Sequence, residues 1–313
     1  MLFLPGLKSE VSRTNSMNLH NLPRVIDRIS FIYIEHAKIN QKDNAFTVTR
    51  EDGTYTIPVA QYLVLLLGPG TSITHSAINL LSKSGTTAIW TQSNITKTLA
   101  VLKSNSLSNS SKAIEKQAKA FADKRMHLAI ARKMYQKRFP NEDFTGLSVD
   151  KMRGKEGFRM KQVYKFNANK YGVKWYGRNY DLQDFDNSDL INQNLTTANQ
   201  ILYGVCSAVI QALGFSTALG FIHVGLANSF VYDISDLYKA EISIPLAFEA
   251  TKYHSNVKDT MSKKIHDTEL IKRIVKDLFN LFDIHEPLIE VLYLWDSVQD
   301  SQEAGINFDS ANH

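Results

Sequence analysis

The sequence predicts an α+β protein: an N-terminal β-sandwich-like domain with one helix, followed by a mostly α-helical domain. Three observations carry this. Up to residue 104 the apolar runs are short, β-branched and aromatic. At 103–112 the composition switches to "KSNSLSNSSK", a Ser/Asn stretch that reads as a linker. Beyond it the apolar residues recur at helical spacing.

Taken in order, "RISFIYIEH" (28–36) reads as a strand, and "NAFTVTREDGTYTIPV" (44–59) as two strands around the Asp52-Gly53 hairpin signal. "YLVLLLG" (62–68) is a buried strand. "GPGTSITHSAINLLSKSG" (68–85) is a turn and a helix capped by Ser72 or Thr74. "TTAIWT" and "TKTLAVL" complete the strands. The spacing then predicts one long helix over 112–139, stopped by Pro140, and a second over 148–172 with Ser148 as N-cap. A third, over 188–214, is apolar enough in its second half to be central. Two or three more helices cover 245–297. The domains are thus 1–104 (with 1–27 an extension), 105–296, and a polar acidic tail at 297–313 that reads as flexible.

Of the 313 residues, 43% are hydrophobic, enough for a sizeable core. A single cysteine, Cys206, excludes an intrachain disulfide and fits a reducing cytoplasm. No apolar run approaches the ~20 residues of a membrane helix, and no signal peptide is read. The net charge of +5 hides an asymmetry. Residues 111–180 hold 18 Lys and Arg against 6 Asp and Glu, while the remainder holds 18 against 25. Such a segment suits a polyanionic partner, or a set of helices with solvated basic faces.

Two stretches carry candidate chemistry. In "MRGKEGFRMKQVY" (152–164), Glu156 lies between Gly154 and Gly157 inside a helical pattern, where each glycine costs about 1 kcal/mol against alanine. Close approach of another backbone is one reason for them. Arg153, Arg159 and Lys161 surround the carboxylate, which otherwise reads as half of an ordinary Arg–Glu pair. In "GFIHVGLANSFVYDISD" (220–236), His223 precedes a helix that Ser229 can cap and that carries Asp233 and Asp236 on one face. Carboxylates in an apolar stretch need a partner. With Glu156 they form a His/carboxylate set of the kind Mg²⁺ or Mn²⁺ accepts. From the spacing alone, a hydrogen-bonded core histidine and two dipole-complementing aspartates are the commoner reading. "YGVKWYGRNYD" (171–181) interleaves rings with Lys174 and Arg178, a pattern that suits nucleic acid or a ring-covered core.

"RGKEG", "YGVKWYGRNYD", "INQNLTTANQILYGV", "GFIHVG" and "SFVYDISDLYK", in this order and spacing, resemble the CRISPR-associated spacer integrases, the first universal Cas protein, and most of all their Cascade-associated type I-E branch. "GPGTSITHSA" and "AIWT" agree with that branch. The resemblance implies that the helical domain is catalytic and that Glu156, His223 and Asp236 are the ligands of Mg²⁺ or Mn²⁺, with Asp233 supporting the site. It implies a metal-dependent endonuclease and integrase that inserts short double-stranded DNA into a repeat array by 3′-hydroxyl attack. It also implies a homodimer and a central dimer of the second universal Cas protein, which in some systems carries a fused nuclease domain. By motif, Tyr180 and Tyr203 would position the phosphate and Lys239 would neutralise it. Arg153, Lys161, Arg178, Lys97 and Lys103 are candidate DNA contacts. His36 stands where a duplex-capping ring is expected. The competing readings are a stand-alone nuclease for branched repair intermediates, a tyrosine recombinase using Tyr180 or Tyr203, and a non-catalytic DNA scaffold.

Overall fold

The computed structural model describes residues 31–43, 45–58, 64–84, 86–92, 98–102, 111–178 and 189–284. Strands occupy its first part and helices its second, as the composition switch predicts. Two four-stranded sheets form. One has the order β1 (Phe31–Ile34), β5 (Val64–Leu67), β7 (Thr87–Thr91), β8 (Thr98–Leu102); the other has the order β4 (Gly53–Pro58), β3 (Ala45–Arg50), β2 (Lys38–Lys42), β6 (Ser72–Ile73). The Asp52-Gly53 signal closes the β3–β4 hairpin, with Arg50 opposite Gly53 and φ +145° at the glycine. Strands β1, β5 and β7 pair in parallel, and the central β5 is buried along its whole length. The helix of this part, α1 (His75–Ser84), follows Thr74, whose carbonyl takes the Ile78 N–H as an N-cap's does. Ser72 lies instead in β6.

Alternation along β5 divides its side chains between two cores. Leu65 and Leu67 join Ile32, Ile34, the second sheet and α1. Val64 and Leu66, with Ile89, pack on Ala208 and Ala212 of α5 (Leu190–Ala212). Small residues at that crossing let the sheet and helix approach closely. Asp189 caps α5, accepting from the Asn192 N–H, and the helix is buried along nearly its whole length at the centre of the helical part.

The long helix expected over 112–139 is two helices, α2 (Lys112–Ala122) and α3 (Lys124–Arg138). Asp123 makes the break. Its backbone is extended and its carboxylate accepts the Arg125 and Met126 N–H groups, an N-cap inside a continuous periodic pattern. By contrast, α4 (Val149–Tyr171) has the predicted limits, with Ser148 as N-cap and Gly172 closing the helix at φ +65°. Helices α6 (Ser229–Lys239), α7 (Ser243–Tyr253), α8 (Val257–Asp267) and α9 (Leu270–Leu281) complete the chain's described part. Ser229 does not cap α6: it is the first helical residue, its hydroxyl accepts from the Leu226 N–H, and Asn228 precedes it without a side-chain cap. Among the described residues, no helix is long and apolar enough to cross a membrane. Residues 1–27, Lys97, Lys103, Tyr180 and the tail 297–313 lie outside the described residues.

Candidate active site

Helices α3, α4 and α6 and the loop before α6 bring the sequence-predicted acids together. Glu156 projects from α4 toward the last turn of α3. There Tyr135 donates its hydroxyl to Glu156 Oε2 at 2.9 Å and Arg138 donates to Oε1. The same Arg138 nitrogen lies 3.5 Å from Oδ2 of Asp236 on α6. The other Asp236 oxygen is 2.7 Å from Lys239 Nζ, one turn further on. Each of these four carboxylate oxygens therefore has a cation or hydroxyl of the chain beside it.

The last turn of α3 is itself braced. Lys137 pairs with the nearly buried Asp277 of α9 at 2.8 Å, and Tyr238 of α6 donates to the same carboxylate. This anchor fixes the neighbouring Arg138 between Glu156 and Asp236.

Asp233 faces a different way from Asp236. It is fully buried and folds the glycine-bounded loop around itself. Its Oδ2 accepts the N–H groups of Phe221 and Ile222 at 2.5 and 3.0 Å. Its Oδ1 accepts the His223 N–H and faces His223 Nδ1, both at 2.8 Å. The imidazole is thereby oriented through one nitrogen, leaving Nε2 to act elsewhere. Arg153 donates to the Ile222 carbonyl and so holds this loop from α4. Gln117 of α2 holds its start, bonding Ser216 N–H and the Ser216 and Leu219 carbonyls.

These contacts give the acids of 220–236 partners within the chain, as carboxylates in an apolar stretch need. The chain balances them itself: Asp233 by backbone donors and His223, Asp236 by Arg138 and Lys239. Electrostatics follow this geometry. For Asp236, burial alone would raise the carboxyl pKa, but the Lys239 and Arg138 charges reverse it and the net direction is down. Burial works against the Lys239 charge as well, yet Asp236 and Tyr203 together raise its pKa. The His223 pKa is raised, chiefly by its bond to Asp233. Burial and Glu156 push Tyr135 upward, keeping its hydroxyl a donor. Burial pushes the Cys206 thiol up to about 12, which removes it as a nucleophile.

Tyr203 of α5 joins the group: Lys239 Nζ lies 4.7 Å from its ring centroid, and Tyr232 packs edge-on against both Tyr203 and His223. The remaining candidates are elsewhere or otherwise engaged. Arg178 is pinned to the Asn192 carbonyl and side chain and to Thr196, tying the 173–178 segment to α5. Arg159 pairs with Glu142 rather than Glu156. Lys161 is exposed on α4. His36 is exposed on the β1–β2 connection with a left-handed backbone, φ +49°. Among the described residues, a Cβ on Gly154 or Gly157 would meet no atom within 4 Å beyond its own stretch of helix, so packing among these residues is not the reason for either glycine. Tyr135 and Arg138 are not legible in the sequence as site residues; they sit 21 and 18 positions before Glu156 in a helix rich in similar side chains.

The donor set fits a hard divalent cation in its chemistry. Two carboxylates already converge on one positive group, and an imidazole with its other nitrogen fixed stands in electrostatic contact with Asp236. Among the described residues, no three His, Cys, Asp or Glu side chains stand together as a ready cage. Arg138 holds the carboxylate oxygens that such an ion would use.

A family model described as CRISPR associated protein Cas1 matches residues 31–144. The chain is similar to the CRISPR-associated endonuclease Cas1 of Clostridium sp. (strain SY8519), 43% identical over 301 residues that cover 93% of this chain and 99% of that protein. It is similar to the CRISPR-associated endonuclease Cas1 2 of Thermus thermophilus, 37% identical over 276 residues, 86% of this chain and 84% of that one. A crystal structure described as a TtCas1-DNA complex matches with a TM-score of 0.72 and 37% identity, covering 83% of this chain and 99% of that one.

Proposed function

The chain belongs to the CRISPR-associated Cas1 family, and from this premise we propose that it is a metal-dependent DNA endonuclease and integrase of CRISPR adaptation. The observation that carries the reading is the convergence of Glu156 and Asp236 on one cationic position beside the oriented His223. The substrate would be a short DNA duplex. As its 3′-hydroxyl oxygen bonds to a repeat phosphorus, that hydroxyl gives its proton to solvent, the bond from the same phosphorus to the repeat's 3′ oxygen breaks, and the departing 3′ oxygen takes a proton from solvent.

Glu156, His223 and Asp236 would hold Mg²⁺ or Mn²⁺. When bound, such an ion supplies Lewis-acid polarisation of the phosphoryl group. The chain's own residues do the rest. Asp233 keeps the His223 ring in place. Lys239, held charged between Asp236 and Tyr203, offers a fixed positive charge to a phosphate. Lys161 and its exposed neighbours on the basic helices would attract the DNA backbone. Tyr180, Lys97 and His36 remain proposed DNA contacts, as does assignment to the Cascade-associated branch. We further propose a cytoplasmic homodimer working with a dimer of the second universal Cas protein, since two 3′ ends must reach opposite strands of one repeat.

The reading is tested by incubating the purified chain with a labelled duplex and Mn²⁺, with and without chelator. Metal-dependent cleavage that Glu156→Ala abolishes supports it. Equal cleavage in the chelated sample, or a protein–DNA adduct through a tyrosine, contradicts it. A genuine scaffold would show Glu156→Ala retaining full function.

A further inference from the structure

Arg138 is 5% exposed in its side chain, bonds Glu156, and reaches Asp236 at 3.5 Å. Its Nε–H is buried and has no hydrogen-bond partner among the described residues. The remaining oxygens of the two acids are taken by Tyr135 and Lys239. Two carboxylates and two cations leave this cluster close to electrically balanced. A divalent ion that binds Glu156 and Asp236 together must therefore take oxygens from a cation and also stand beside it, which Coulomb repulsion opposes at these distances. Lys239 is locked by Asp236 and the Tyr203 ring. Arg138, on a long stem with one donor unsatisfied, is the group that can yield.

We propose that Arg138 is a displaceable internal cation that competes with the divalent ion for Glu156 and Asp236, and that the guanidinium so released is received by a DNA phosphate. The inference rests on the metal reading of the site given above. A buried guanidinium left without an anion is costly, and a phosphate satisfies it through paired N–H donors. The coupling must act in both directions: DNA strengthens metal binding by the same factor by which metal strengthens DNA binding. Arg138 is then a positioning residue that makes the site load fully only when substrate is present.

The test measures Mn²⁺ affinity by electron paramagnetic resonance on the full-length wild type, Arg138→Met and Arg138→Lys, each with and without a short duplex whose 3′ ends are blocked. Arg138→Met should bind Mn²⁺ roughly ten-fold or more tightly than wild type in the absence of DNA. The duplex should tighten Mn²⁺ binding in wild type by a similar factor and have little effect in Arg138→Met. Arg138→Lys, which keeps one charge but not the bridge, should fall between, and it carries the test if the methionine variant does not fold. Unchanged or weaker Mn²⁺ binding in a folded variant would mean that Arg138 is only a structural tie, and so would a wild type whose Mn²⁺ affinity ignores DNA. Failure of Mn²⁺ to bind any of the three, or binding that His223→Ala leaves intact, would instead overturn the metal reading itself and this inference with it.

Discussion

His223 is held by Asp233 through two bonds to a single oxygen: backbone N–H and ring Nδ1 both lie 2.8 Å from Asp233 Oδ1. The other oxygen takes two further N–H groups. Every neighbour of this carboxylate is thus a donor. Asp233→Asn places an amide NH₂ against them and should destabilise the fold by about 1–3 kcal/mol. Because the ring loses its orientation, Mn²⁺ affinity or activity should also fall by about 10–100-fold. Urea unfolding and Mn²⁺ titration of the variant check both. A variant with normal Mn²⁺ affinity would show that Asp233 shapes the loop without serving His223.

Removal of Asp236 should harm the fold, contrary to the simple expectation that deleting an acid from an acidic site relieves repulsion. Asp236 is paired with Arg138 and Lys239, so Asp236→Ala leaves the largely buried Lys239 without its carboxylate and Arg138 with Glu156 alone. The loss should be about 3 kcal/mol, seen as a lower urea midpoint at unchanged slope. His223→Ala, whose side chain is 40% exposed, should leave stability nearly intact while abolishing activity.

Acid should weaken the protein through the same group. Since the folded pKa of Asp236 lies below its ordinary 3.8, its contribution is fully present above that value and disappears as pH falls through the folded value. The His223 contribution has the opposite sign: with a pKa raised above 6.5, it is present below that pH and lost as pH rises through the folded value. An NMR titration of the chelated protein should find His223 above 6.5, and Asp233→Asn should lower it. A His223 pKa unmoved by Asp233→Asn would contradict the bond's role.

Local chemistry makes much of this fold legible. Ser148 and Gly172 bound α4 because a cap hydroxyl and a left-handed glycine act over a few residues, and Asp52-Gly53 closes its hairpin for the same reason. Glu156, His223, Asp233, Asp236 and Lys239 stand out through motif and resemblance. What the pattern hides is non-local or competes with it. Asp123 breaks a helix whose apolar periodicity runs straight through. The parallel pairing of β1 with β5 depends on tertiary contacts. Arg138 looks like any cation in a basic helix until α4 and α6 fold against it.

Arg178 and Lys161 should separate experimentally, although the motifs suggest both as phosphate contacts. Lys161 is exposed, so Lys161→Ala should flatten the salt dependence of DNA binding by about one unit with no change in stability. Arg178 ties its segment to Asn192 and Thr196, so Arg178→Ala should lower thermal stability as well. Equal effects of the two on stability would contradict this division.

Strand transfer by the proposed Glu156–His223–Asp236 site is tested most directly with His223→Ala, because this proposed ligand is the one whose loss the fold should tolerate best. A labelled duplex, the partner protein, Mn²⁺ and a repeat-bearing plasmid are combined, and label joined to the plasmid is measured alongside duplex binding. Wild type should bind the duplex and give joined product. His223→Ala and chelated wild type should bind the duplex normally and give none. Joining by folded His223→Ala at the wild-type rate would refute the assignment of the site.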